Sequence, residues 1–351
     1  MEDLSISELI RSNLLQSGNP VILDDTVYLC WLGDHPPGII CDLNNWDEEH
    51  PFQFKHLAGD LWVYPLDLPR GTYLEYAFIR HKRRIHDPHN SHRTPNGMGK
   101  YNHQFTFPAS DLAFYLPKEP PRLKGKLITL RLPTHQLLAG KKRNVHLYQP
   151  PVLDPVPLLV MWDGKEYLER AMLPHLVEDF VEQGKIEPIA LALIENGGRY
   201  RTMEYFCSEA TLGFLQFSVL PTTLQHLNII SPHEKLGSLA IGGASLGGLM
   251  ALYAALRMPH WFGKVLSQSG AFTIRDQKLV VWSLIEHQQT LPLKLWLDCG
   301  IYEPLIETNR EMVTLLQKKG YTFTYKESNS GHNYPAWRRL LPDALITLFG
   351  R

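Results

Sequence analysis

Residues 238–258 read SLAIGGASLGGLMALYAALRM, and this stretch decides the fold. SLAIGG is an apolar run without polar alternation, which suits a strand covered on both faces. LGGLMALYAALRM is rich in Ala and Leu and is stopped by Pro259, the pattern of a helix from Leu246 to Met258. Between them Gly243-Ala244-Ser245-Leu246-Gly247 fits G-x-S-x-G. Alone, the pentapeptide reads as a glycine-rich turn with a serine helix cap. Between a buried strand and a helix it predicts a strained turn that lifts the Ser245 hydroxyl above a sheet at a helix N-terminus. There the helix dipole and the amide of Leu246 face the place where an oxyanion develops. Ser245 is the candidate nucleophile.

The flanking segments repeat the alternation of strand and helix. LITLRL (127–132) and RNVHLYQP (143–150) read as an antiparallel pair, and VPLLVMW (156–162) as a buried strand. A helix over Tyr167–Gln183, kinked at Pro174, follows. Then come PIALALI (188–194), a helical segment over 204–218, the central stretch, KVLSQSG (264–270) and a helix over 275–288. LKLWLDCG (293–300), a helix over 304–319, YTFTYKE (321–327) and a helix over 337–348 close the series. Unalternating apolar strands separated by helices predict a three-layer α/β domain over 127–351.

Upstream the character differs. Ile6, Leu9, Ile10 and Leu14 are spaced for one short amphipathic helix. VILDDTVYLCWL (21–32), GIICDL (38–43), LWVYPLDL (61–68), TYLEYAFIR (72–80) and YNHQFTF (101–107) are short β-prone runs between turn clusters. They predict a small all-β sandwich over 1–110, with a proline- and charge-rich linker over 111–126. The chain's 351 residues suit two such domains of unequal size.

With 36 acidic against 35 basic residues, the formal net charge is −1, so no global field favours nucleic acid or an anionic membrane. No apolar run reaches the roughly 18 residues of a membrane-spanning helix. MEDLSISELIRSNLL has no basic n-region, so a cytoplasmic protein is expected. Cys30, Cys41, Cys207 and Cys299 sit in apolar runs without CxxC spacing and read as buried free thiols. Five histidines in HKRRIHDPHNSHRTPNGMGKYNH (81–103) lack the spacing of a helical zinc site, so no metal or other cofactor is expected.

A serine nucleophile needs a base and an acid after later strands. Of 16 histidines, His260, His287 and His332 follow Ser245. His260 marks a helix stop and His287 lies in a predicted helix. His332, in Asn329-Ser330-Gly331-His332-Asn333, occupies a loop between the last strand and last helix, where a base is needed. For the acid, Glu303 has the reach of a loop position and is favoured over the alternative, Asp298 at the strand end. The second oxyanion donor is expected from Trp162-Asp163-Gly164-Lys165, with the amide of Lys165 as candidate. Arg199 and Arg201, beside Tyr200 and Tyr205 on the loop after 188–194, suit a bulky aromatic anion; the plainer alternative pairs Arg201 with Glu204.

WDG (162–164), GGASLGGLMALYAALRMPHWFGKVLSQSG (242–270), DCGIYEP (298–304) and GHNYPAWRRLL (331–341) together resemble the enterochelin esterase family, in the esterase D group of α/β-hydrolases. RTMEYF (201–206) is similar to the family's arginine-and-glutamate element at Arg201, Thr202 and Glu204. Residues 41–79 with DPHN (87–90) resemble its early-set immunoglobulin-like domain and glycogen-binding sandwiches. After SQSG the chain departs from the aromatic run of siderophore esterases, keeping Phe272 alone in Ala271-Phe272-Thr273-Ile274.

The resemblance implies an intracellular esterase that opens a catecholate trilactone siderophore. Ser245 is then the nucleophile and His332 the base; the candidate substrate contacts are Arg201, Arg199, Glu204 and Trp337. In the similar feruloyl esterases the acid falls at the position of Glu303. A second reading is an acetyl or feruloyl ester of a sugar, gripped through Trp46 and Trp62. A third is a noncatalytic binding protein, against which an intact serine, acid and histidine set argues. Loss of ester hydrolysis in Ser245→Ala separates the third from the others, and product analysis separates the first two.

Overall fold

The computed structural model describes residues 5–97, 99–108, 121–232, 234–235 and 237–351. The chain forms two compact units. One comprises Met1–Tyr115 with Gly300–Pro304 and Ser328–Ala336; the other comprises Leu116–Cys299, Leu305–Glu327 and Trp337–Arg351. The expected linker lies, as far as residue 120, outside the described residues.

In the first unit α1 (Ile6–Ser17) opens on a capping box, Ser5 and Glu8 each accepting from the other's amide. It buries Ile10 and Leu14 and leaves Ile6 and Leu9 exposed, a narrower stripe than expected. The strands are β1 (Val21–Leu23), β2 (Thr26–Leu32), β3 (Gly38–Cys41), β4 (Phe52–Gln53), β5 (Lys55–Ala58), β6 (Leu61–Leu66), β7 (Thr72–Arg80), β8 (Arg83–Ile85), β9 (Arg93–Pro95) and β10 (Tyr101–Phe107). Among the described residues they form one sheet in the order β1-β2-β6-β5 and another in the order β4-β3-β7-β10-β9, with β8 on β7. Val27 and Leu29 from the first sheet and Leu74, Tyr76, Phe78 and Phe105 from the second share one core, so the unit is a β-sandwich.

The second unit holds β11 (Lys126–Pro133), β12 (Lys142–Gln149), β13 (Leu158–Trp162), α2 (Gly164–Glu169), α3 (Leu173–Glu182), β14 (Ala190–Ile194), α4 (Arg201–Tyr205), α5 (Glu209–Phe214), α6 (Leu220–His226), β15 (Leu239–Ala244) and α7 (Leu246–Arg257). It continues through β16 (Phe262–Gln268), β17 (Thr273–Ile274), β18 (Gln277–Lys278), α8 (Val280–His287), β19 (Lys294–Gly300), α9 (Ile306–Lys318), β20 (Thr322–Ser328) and α10 (Tyr334–Phe349). The main sheet runs β11-β12-β14-β13-β15-β16-β19-β20. Strands β14, β13, β15, β16 and β19 are mutually parallel, and β11 and β12 join antiparallel. After β13 the chain adds β14 on one side, then returns to lay β15 on the other. That reversal opens a crevice at the carboxyl ends of β13 and β15, where ligands of open α/β sheets bind. β13, β14 and β15 are buried throughout, and α7 is buried from Gly247 to Leu256. This is the α/β-hydrolase architecture preceded by an all-β sandwich.

Three predicted helices divide. The one over 167–183 becomes α2 and α3, broken at Met172, whose φ is 51°; Pro174 then falls at a helix start, where no amide is needed. The 204–218 segment becomes α4, α5, a π-helical turn Leu215–Val219 and α6. The 275–288 segment starts with the β17–β18 hairpin, turned by Arg275 and Asp276 at φ 47° and 63°, before α8.

Candidate active site

Ser245 sits between β15 and α7 with φ 59° and ψ −123°. A side chain in that region is strained by about 1–3 kcal/mol, so its surroundings must over-determine it. They do: the Ser245 amide donates to Gln268 O (2.8 Å), and the Ser245 carbonyl accepts from Leu249 (3.0 Å) and Ala271 (3.1 Å). Close approach explains Gly243, since a Cβ there would lie 2.6 Å from the carbonyl carbon of Gly247. Leu246 is the first residue of α7, so its amide is among those with no intrahelical acceptor.

The loop after β13 is organised by Asp163, 1% exposed and left-handed at φ 57°. Arg201 donates to both its oxygens, Nε to Oδ1 and Nη2 to Oδ2, each at 2.7 Å, and Asn196 Nδ2 donates to Oδ1 (2.7 Å). Arg201 Nη2 also reaches Ala244 O (3.2 Å), the carbonyl before the nucleophile. The amide of Asp163 donates to Tyr205 Oη (3.1 Å), and its carbonyl accepts from Glu166 and Tyr167, starting α2 with Lys165 in the first turn. Sequence reasoning missed Asp163 as a node. Its signal was an acid directly after a wholly apolar strand, where an exposed turn would not need one.

Like Arg201, two more residues expected at the substrate, Glu204 and Trp337, have hydrogen-bond partners within the fold. Glu204 is 5% exposed, and its two oxygens accept from Arg143 Nη1 and Nη2, both at 2.7 Å. This bidentate pair corrects the pairing with Arg201, because each arginine has a carboxylate of its own. Trp337 is 6% exposed; its indole donates to Ser269 Oγ (2.8 Å), and its carbonyl accepts from Gln268 Nε2 (2.9 Å). The tryptophan of GHNYPAW and the SQSG element therefore form one hydrogen-bonded lock. Arg199 stays exposed, with its guanidinium over the Tyr200 ring.

The carboxylates separate cleanly. Asp298, fully buried, accepts from Gln268 Nε2 (3.1 Å) and Trp296 Nε1 (2.7 Å), while Gln268 Oε1 accepts from Tyr167 (2.9 Å). Glu303 belongs to the other unit together with His332. Its Oε2 pairs with His332 Nδ1, and its Oε1 accepts from the Gly300 amide (2.6 Å). The Glu303 side chain is 1% exposed and the His332 side chain 35%. A carboxylate on Nδ1 fixes the tautomer in which Nε2 is the acceptor, the form a general base requires.

In the sandwich Trp46 donates to Asp42 Oδ1 (3.1 Å) and Trp62 to Gly33 O (2.9 Å), so both indoles proposed for sugar contact are engaged within the fold. Among the described residues no group of three His, Cys, Asp or Glu side chains gathers as for a metal ion, and no helix is long and apolar enough to cross a membrane. The cysteines are free, and burial pushes the thiols of Cys30 and Cys41 up to about 12.

A family model described as putative esterase matches residues 137–348. The iron(III) enterobactin esterase of Dickeya dadantii (strain 3937) is 28% identical over 239 residues, 62% of this chain and 54% of that protein. The chain spans about half the length of the curated relatives it matches. The crystal structure of ferric enterobactin esterase from Salmonella typhimurium superposes with a TM-score of 0.78 at 20% identity, covering 96% of this chain and 98% of that one. That of the Shigella flexneri enterobactin esterase in the presence of enterobactin gives 0.74 at 20% identity, covering 99% and 98%.

Proposed function

Because the chain belongs to the putative esterase family, we propose that it is a carboxylic ester hydrolase acting on a catecholate trilactone of the siderophore type. Ser245 Oγ attacks the ester carbonyl while His332 Nε2 takes its proton, and Glu303 holds the imidazolium that forms. The amides of Leu246 and Lys165 stabilise the tetrahedral oxyanion. Collapse breaks the C–O bond, His332 returns the proton to the leaving alkoxide, and an acyl-serine remains. Water, deprotonated by His332, then releases the acid and restores the serine.

The observation that carries this reading is the strand-to-helix turn at Ser245, held in a left-handed conformation by three backbone hydrogen bonds. The substrate class rests on the enterobactin esterases that the chain resembles. Arg199 over Tyr200 offers an exposed cation beside an aromatic face, which suits a catecholate. The test is turnover of enterobactin and of p-nitrophenyl butyrate by the wild type and Ser245→Ala. Hydrolysis of both by the wild type and neither by the variant is expected. A variant that keeps turnover removes the serine mechanism, and a wild type that cleaves the butyrate but leaves the trilactone intact removes the substrate.

A further inference from the structure

The loop that carries His332 packs within the sandwich unit, and its seat there is specific. Gly331 is buried on Asp42: the three atoms nearest to a Cβ at 331 would be Asp42 Cγ, Oδ1 and Cβ, the last at 2.6 Å, with the other two closer still. No left-handed φ is imposed on Gly331, so its lack of a side chain answers to Asp42 and not to backbone conformation.

Asp42 is itself fixed. It lies at the end of β3, 4% exposed, with Oδ2 accepting from the Glu75 amide (2.9 Å) and Oδ1 from Trp46 Nε1 (3.1 Å). Both oxygens are thus tied to the sandwich. On either side the loop is held by backbone: the Tyr73 amide donates to Asn329 O (3.0 Å), and the Tyr302 amide donates to Ser330 O (3.1 Å). The Tyr302 ring packs against the sandwich core.

We propose that Asp42 is a positioning residue for ester hydrolysis, its carboxyl forming the floor on which Gly331 sits and so fixing the height and direction at which His332 presents its ring. The inference rests on His332 as the base and goes beyond that reading by making the β-sandwich part of the catalytic apparatus. Burial first, then the carboxylates of Glu75 and Glu303, hold the Asp42 carboxyl well above the usual range.

The test is a double-mutant cycle in the full chain, with kcat and KM measured on p-nitrophenyl butyrate and folding followed by thermal unfolding. Gly331→Ala should lower kcat by about 100-fold with KM nearly unchanged, the cost of displacing a catalytic group by about an ångström. Asp42→Gly removes all three obstructing atoms, so Gly331→Ala/Asp42→Gly should regain about tenfold over Gly331→Ala, a non-additivity that general destabilisation does not produce. A double variant no better than Gly331→Ala, or a Gly331→Ala enzyme as fast as the wild type, overturns the proposal. Should Gly331→Ala fail to fold, Asp42→Ala and Asp42→Asn decide. Alanine should cost kcat about tenfold at constant KM, and asparagine, which keeps the shape of the floor and one of its two acceptors, should restore part of it. Wild-type kcat in Asp42→Ala overturns the inference. A dead His332→Ala beside an unaffected Asp42→Ala removes the inference alone, whereas an active His332→Ala removes the base assignment with it.

Discussion

The guanidinium of Arg201 grips the buried carboxylate of Asp163 with two hydrogen bonds of 2.7 Å and extends a third to the carbonyl of Ala244, one residue before Ser245. An arginine that looks on sequence like a substrate clamp thus braces the two strand ends that flank the crevice. Arg201→Ala leaves a carboxylate 1% exposed without its main counter-charge, and breaking such a pair costs about 3 kcal/mol. The denaturation midpoint should fall accordingly. Arg201→Lys should recover a minor part, because a point charge cannot reproduce the two-pronged contact. A variant of wild-type stability that has lost substrate affinity would return Arg201 to the ligand.

Glu303 and Asp298 should part in their phenotypes. Glu303 pairs with His332 Nδ1, whereas Asp298 accepts from Gln268 and Trp296. Glu303→Ala should lower kcat by about 10⁴-fold, as loss of the orienting acid does in other triads. Asp298→Ala should chiefly lower stability, by stranding a buried indole N–H and a buried amide. Steady-state kinetics beside urea unfolding of both variants checks this; the reverse assignment of losses would transfer the acid to Asp298.

The difference between these two carboxylates marks where sequence reading stops. Strand and helix alternation and the turn at Ser245 are written locally, in apolar runs and glycine spacing, and the three-layer architecture follows from them. Breaks such as Met172 and the hairpin at Arg275-Asp276 depend on single left-handed residues that no periodicity marks. Asp163, Arg143 and Asp42 were invisible as nodes because each is defined by a partner distant in the chain. Arg143 lies 61 residues from Glu204, and Asp42 lies against Gly331 near the other end of the sequence. The same holds for Gly300–Pro304 and Ser328–Ala336, which pack with the sandwich although chain order assigns them to the α/β region.

Trp337 and Gln268 join α10 to the end of β16. The Trp337 indole donates to Ser269 Oγ, and Gln268 bridges Tyr167, Asp298 and the Trp337 carbonyl. Trp337→Phe keeps most of the ring and deletes one buried hydrogen bond, so it should cost about 1–2 kcal/mol. Gln268→Leu strands three polar partners at once and should cost more. If both variants unfold at the wild-type denaturant midpoint while turnover on the bulky ester falls, Trp337 is a substrate contact after all.

His103 makes the sandwich sensitive to acid. It is 4% exposed; its Nε2 accepts from the Asp87 amide (3.0 Å), which holds the ring in the neutral form, and its Nδ1 is buried. Burial, chiefly, with His86 and Arg93 adding to it against the opposing charge of Asp87, lowers its pKa from 6.5. The unfolded chain therefore binds a proton near pH 6.5 that the folded one refuses until the pH is lower. Stability rises with pH wherever the unfolded state holds more protons. The contribution of His103 is complete above pH 6.5 and is lost as the pH falls through the interval down to the folded value. His103→Gln cannot titrate, and its side-chain oxygen can still accept from the Asp87 amide. Urea midpoints at about pH 7.5 and 5.5 should therefore differ less for the variant than for the wild type, whose other histidines are common to both. Equal differences in the two proteins would mean that the ring takes up its proton in the folded sandwich as readily as in the open chain.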